Sequence, residues 1–152
     1  MITEESPIKL SELLSEIKNT LADNLKSNYM VIGVISDYKG PNLPGHHYFK
    51  LIEKNGQQNI AEIKAIVFNG HSYLLKNYYT QTGIQFENGL EVLLKVKVEY
   101  HQIYGLSLII NAIDVNYTLG KIEDTKKSTL KRLEHFQTSI IHRPNVKLLA
   151  NA

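Results

Sequence analysis

The chain has 152 residues, enough to bury the core of one domain, and no cysteine, which excludes a disulfide framework and a thiolate metal site. Its net charge is +2, yet residues 1–120 carry 10 Lys/Arg against 12 Asp/Glu, whereas residues 121–152 carry 7 against 3. The stretch 28–120 holds 7 of each sign, which argues against a strong, indiscriminate polyanion binder and leaves room for a narrow basic groove.

The segment Met1-Ile2-Thr3-Glu4-Glu5 is acidic and lacks the basic and apolar regions of a signal peptide. The apolar runs are far short of a membrane span, so the expectation is a soluble, cytoplasmic protein with no membrane partner. Residues 10–25 place Leu10, Leu13, Leu14, Ile17, Leu21 and Leu25 at the spacing of an amphipathic helix, expected to pack on the domain. Met30 to Lys39 is β-branched and apolar, with Gly33 inside it. A first strand that bends to pair in both halves of a barrel needs a glycine of this kind. The end of this run, Tyr38 and Lys39, leads into a loop.

Pro44 and Gly45 form a turn that hands over to His46-His47-Tyr48-Phe49-Lys50-Leu51-Ile52-Glu53, the second strand. Alternation puts His47, Phe49 and Leu51 on one face, suited to a core. His46, Tyr48 and Lys50 take the other, suited to water or a ligand. For the same reason His46 and His47 point apart and do not share a metal ion; no metal site is predicted. After the turn at residues 54–59, Ile60 to Phe68 reads as a third strand with Ile63, Ala65 and Val67 on one face and Glu62, Lys64 and Ile66 on the other. Ser72 to Tyr79 has helical spacing. The fourth strand, Leu90 to Tyr100, turns Val92, Leu94, Val96 and Val98 inward and Glu91, Lys95, Lys97 and Glu99 outward. His101 and Tyr104 lie in the next loop. The fifth strand runs from Leu106 to about Val115 with Leu108, Ile110 and Ala112 inward, and residues 121–141 read as a basic helix.

Five strands with a helix between the third and fourth give a mainly β fold, the five-stranded Greek-key barrel of the OB type, flanked by an amphipathic N-terminal helix and a C-terminal helix. An SH3-like barrel is the alternative, and the inserted helix disfavours it. The organisation expected is a helical segment over 1–27, the barrel over 28–120, and a basic connector over 121–152. In such a barrel an outward aromatic beside a lysine can stack on a base and meet a phosphate. Tyr48 and Lys50 are therefore the first candidates for a nucleic-acid face. His46 is a candidate with a structural role in the turn as the competing reading. Tyr38, Lys39, His101 and Tyr104 are candidates because their loops flank the binding face of OB barrels. No catalytic triad, paired carboxylates or phosphate loop is present in the sequence pattern, and no cofactor is expected.

The order of these motifs resembles the N-terminal domain of the exodeoxyribonuclease VII large subunit. The resemblance rests on Ile35-Ser36, Gly45-His46-x-Tyr48-Phe49-x-Leu51, Ala65 to Phe68, Asn88 to Val92, Tyr104 to Leu108 and Asp114 to Gly120, within residues 8–135. It implies a barrel that binds single-stranded DNA for a catalytic region downstream, in an enzyme that pairs large and small subunits to degrade single-stranded DNA. On this likeness the catalytic region is expected to be essentially missing from this chain, with Val146 to Ala150 expected as its first strand. This chain departs from the family where it has Pro44 before Gly45-His46 and Leu51-Ile52-Glu53 at the strand end, both of which remove polar or basic groups. An assembly module and an RNA-binding barrel are the competing readings.

Overall fold

A computed structural model describes residues 6–124. The order is α1 (Leu10–Asn24), β1 (Tyr29–Ser36), β2 (His47–Asn55), β3 (Gln58–Val67), a 3-10 turn (Asn69–His71), α2 (Tyr73–Thr82), β4 (Glu91–His101) and β5 (Gly105–Ile113). A final helix, α3, begins at 115 and is described to 124. The strands close into a barrel in the order β1-β2-β3-β5-β4. All neighbours are antiparallel except β3 and β5, whose parallel pairing of Lys64 to Ile66 with Ser107 to Ile109 completes the ring.

Closure depends on β1 changing partners. Residues 29–34 pair with β4, and residues 34–36 pair with β2; Val34 faces Glu91 on one side and Ile52 on the other. Gly33 lies one residue before this change of partner, and a Cβ there would lie 2.6 Å from Leu51 Cγ. Any side chain there would enter the space that the core leucine fills, so glycine is required by close approach. Ile35, Phe49, Leu51, Ala65, Val67, Val92, Leu94, Val96, Leu108 and Ile110 fill the interior, as the strand alternation predicts.

The fifth strand departs from simple alternation. Val96 faces Ile110, but Lys95 faces Ala112, so Asn111 is an extra residue on β5. Beyond this bulge the sides exchange. Ala112 stands opposite the outward Lys95, and Ile113, opposite Leu94, takes the inward place expected of Ala112. The strand also ends at Ile113, not at Val115. The Asp114 carboxylate accepts the Tyr117 N–H at 3.1 Å, a side-chain cap that starts α3 six residues before the expected basic helix. The expectations for residues 125–152, including the rest of that helix and a strand near Val146, lie outside the described residues.

Helix α2 closes one end of the barrel. Tyr78 is fully buried, and its hydroxyl is 3.0 Å from Thr118 Oγ1 on α3. Thr82 donates to the Tyr78 carbonyl at 2.7 Å. Helix α3 is further tied down through Glu91, whose carboxylate takes Lys121 at 2.7 Å and the Tyr117 hydroxyl at 2.9 Å. The Lys121 hydrogen bond first, and Tyr117 second, hold the Glu91 carboxyl below its ordinary value. Helix α1 lies against β4, with Leu14 and Leu21 half-buried, and Gln102 donates to Ser15 at 2.6 Å. Its other apolar positions, Leu10, Leu13 and Ile17, stay exposed, so the expected packing covers only part of the helix.

Candidate nucleic-acid interface

Strand β2 begins directly after the turn at Gly45, whose φ is +93° and where a Cβ would lie 2.8 Å from Asn69 Oδ1. That turn fixes which way the first side chains point. His47 goes inward and is buried; His46 and Tyr48 go outward. Register then sets the outer face. Tyr48 stands opposite Ile66 on β3, which stands beside Ile109 on β5; Lys50 stands opposite Lys64, which stands beside Ser107.

The upper end of this face is aromatic. The His46 ring meets Phe68 edge-on at 5.3 Å and Tyr48 edge-on at 6.5 Å. Tyr48 is 48% exposed and Phe68 36%, enough for each to offer a ring to a planar ligand. His46 is held on both sides: its backbone N–H donates to Asn42 Oδ1 at 2.9 Å, and its Nδ1 accepts the Asn69 N–H at 2.9 Å. An accepting Nδ1 places the ring proton of the neutral form on Nε2. The histidine thus has the structural role in the turn and also a place in the aromatic group.

The β4–β5 loop borders the face on the other side. His101 Nδ1 accepts the N–H groups of Ile103 and Tyr104 at 3.0 and 3.2 Å, which folds the loop tip. The Tyr104 ring lies 4.5 Å from the His101 ring and is 69% exposed. Lys64 donates from Nζ to the Tyr104 carbonyl, which ties the loop to β3. Lys50 reaches Glu62 at 3.3 Å.

Tyr38 and Lys39 have separate places. The Tyr38 backbone is bracketed by the Asn88 side chain, which accepts its N–H at 2.7 Å and donates to its carbonyl at 3.1 Å. Its ring turns into the barrel end, edge-on to Phe49 and Phe86, with its hydroxyl 2.9 Å from His47 Nδ1. Burial raises the Tyr38 pKa above its ordinary value. Burial, and secondarily the charge of His46, lowers that of His47. Lys39 is exposed and lies 3.7 Å from Asp37, at the start of the loop. The structure therefore brings together His46, Tyr48 and Lys50 on one face, adds His101 and Tyr104 at its border, and leaves Tyr38 inside. The outward place of Lys64 agrees with the strand alternation; its tie to Tyr104 and the part of Phe68 in the face are not in the sequence pattern. Continued alternation past Ile66 places Phe68 outward, but its partner His46 is 22 residues away and invisible to local pattern.

Among the described residues no three His, Asp or Glu side chains are grouped to hold a metal ion, and no helix is long and apolar enough to cross a membrane. What the face offers is planar surface and positive charge beside it. The closed five-stranded barrel with α2 between β3 and β4 defines an OB fold. Residues 8–114 match the family described as OB-fold nucleic acid binding domain, and the chain belongs to that family.

Among curated proteins, the chain is 29% identical over 113 residues to the exodeoxyribonuclease 7 large subunit of Beijerinckia indica subsp. indica. The match covers 74% of this chain and 18% of that protein. The chain thus spans less than a fifth of the relative's length. The likeness to that family, seen in the motifs from Ile35 to Gly120, is supported by this match. Among solved structures, a mitochondrial single-stranded DNA binding protein from S. cerevisiae aligns with 17% identity and a TM-score of 0.42, covering 58% of this chain and 92% of that one. A small single-stranded DNA binding protein from Mycoplasma pneumoniae aligns with 9% identity and a TM-score of 0.41, covering 59% and 93%.

Proposed function

We propose that this domain binds single-stranded DNA across the outer face of β2 and β3, and presents it to the catalytic region of an exodeoxyribonuclease VII-type nuclease. The observation that carries the reading is the group formed by Tyr48, Phe68 and His46, half-exposed rings beside Lys50 and Lys64. Bases of a single strand can stack on such rings without sequence preference, and the lysines can meet the phosphates between them. In a duplex the base faces are already covered by stacking, so the unpaired strand is the ligand that uses both features. On this reading the domain itself carries out no hydrolysis and needs no cofactor. A cytoplasmic setting and a small partner subunit that contacts the catalytic region belong to the same proposal.

Titration of a fluorescently labelled oligothymidine, repeated at several salt concentrations, tests it. Binding is expected at low salt and is expected to weaken as salt rises, because phosphate neutralisation releases counterions. Competition by a matched oligouridine separates DNA from RNA. No binding at low salt contradicts the proposal, and preference for the RNA strand replaces it with the RNA-binding reading.

A further inference from the structure

The β2–β3 register puts Lys50 and Lys64 directly opposite one another on the outer face. Like charges at opposed positions of neighbouring strands repel, and their Cβ atoms are only about 4.5–5.5 Å apart. Each ammonium group instead has its own resting partner. Lys50 leans to the carboxylate of Glu62, its diagonal neighbour on β3, at 3.3 Å. Lys64 leans away to the Tyr104 carbonyl in the β4–β5 loop. Lys50 and Glu62 remain nearly half exposed, at 43% and 46%, so solvent and ligand can reach both.

We propose that Lys50 and Lys64 form a single phosphate subsite, held open in the free domain by Glu62, whose carboxylate must be displaced from Lys50 by the incoming phosphodiester. This inference rests on the nucleic-acid reading of the face and adds to it a regulated anion site. Two four-carbon stems rooted on opposed positions can converge on one phosphate between them, which removes the repulsion that keeps them apart. Glu62 is then a resident counterion. When a phosphate replaces it, the freed carboxylate takes back a cation from solution, and the net counterion release falls. The neutral balance of charge over residues 28–120 is, at this face, a local arrangement of anion beside cation. The affinity of the face is set by how readily Glu62 yields.

The test compares oligothymidine binding by the wild-type domain, Glu62→Gln, Lys50→Gln and the double variant Lys50→Gln/Glu62→Gln, over a salt series. Glu53→Gln, on the exposed hairpin end of β2, serves as the control for loss of one negative charge. Glu62→Gln is expected to tighten binding by up to about fivefold, the scale of releasing an exposed ion pair. It should also steepen the dependence of log affinity on log salt by up to about 0.7, one phosphate contact on a single strand. Both gains should vanish in the Lys50→Gln background, and Glu53→Gln should produce neither. Unchanged or weaker binding by Glu62→Gln overturns the subsite, as does an equal gain from Glu53→Gln or in the Lys50→Gln background. If the wild-type domain fails to bind at all, the proposed function itself falls and the subsite with it. Binding by the wild type with no response to Glu62→Gln removes the subsite alone.

Discussion

Two aromatic groups sit on either side of the first residues of β2, and they are treated in opposite ways. Inside the barrel, Tyr38, His47, Phe49, Tyr78 and Phe86 pack edge-on or stacked, with polar atoms paired: Tyr38 hydroxyl to His47, Tyr78 hydroxyl to Thr118. Outside, His46, Tyr48 and Phe68 meet edge-on with large parts of the two larger rings open to solvent. One residue step at the entry to β2 separates His46 from His47, and that step decides between the two environments. Similar side chains thus serve packing on one side and, on the proposed reading, recognition on the other. The difference is exposure, not composition.

If this division is right, substitutions on the two sides should fail in different assays. Phe49→Ala should have the largest effect, a loss of about 3–5 kcal/mol of stability, because it removes a buried ring and leaves a cavity among tightly packed neighbours. Urea denaturation measures it; a loss below about 1 kcal/mol would mean the interior group is not the structural one. Tyr48→Ala should leave that unfolding curve nearly unchanged and weaken oligothymidine binding by about 1–3 kcal/mol, the worth of one base stacked on a ring. Glu53→Ala, measured alongside, should change binding little, and equal losses from the two would show that the outer face is misassigned.

Smaller effects sharpen the contrast. Tyr78→Phe keeps the ring and deletes the hydroxyl that faces Thr118, so stability should fall by about 0.5–1.5 kcal/mol with no change in binding. The interior group also carries a pH signature. Burial lowers the His47 pKa in the folded domain, so between the unfolded value near 6.5 and the lower folded value the unfolded chain binds more protons. The contribution of neutral His47 is therefore complete above about pH 6.5 and is lost as the pH falls through that window toward the folded value. Thermal melts from pH 7.5 down to pH 5 should show a decline in Tm that is shallower in His47→Gln. An identical pH dependence in the variant would remove His47 from the account.

The division was partly legible in the sequence. Alternation alone separated His47, Phe49 and Leu51 from His46, Tyr48 and Lys50, because strand periodicity is a local property, and a glycine inside the apolar run of β1 flagged the region where that strand changes partners. The helix between the third and fourth strands identified the barrel type for the same reason, since helical spacing interrupts a series of strands. What local pattern could not supply was contact across the fold. Tyr38 lies in a loop and reads as exposed, yet Asn88, 50 residues away, fixes its backbone and turns its ring inward. Phe68 reads as the last residue of a strand, and its place beside His46 depends on the β2–β3 register. The bulge at Asn111, which moves Ala112 outward and Ile113 inward, leaves no mark in an apolar run where both residues suit a core. The partner of Lys50 is similar: Glu62 is diagonal to it, so the charge balance of the face is visible only once the strands are paired.

On the proposed reading the ligand lies on the outer face of β2 and β3, away from α1 and the interior aromatic group. Backbone amide chemical-shift mapping of the 15N-labelled domain during titration with oligothymidine tests it most directly. The largest shifts should gather at His46, Tyr48, Lys50, Lys64, Phe68 and Tyr104, with α1 unaffected. Shifts concentrated on the exposed side of α1 around Leu13 and Ile17, with Tyr48 and Phe68 unmoved, would contradict it.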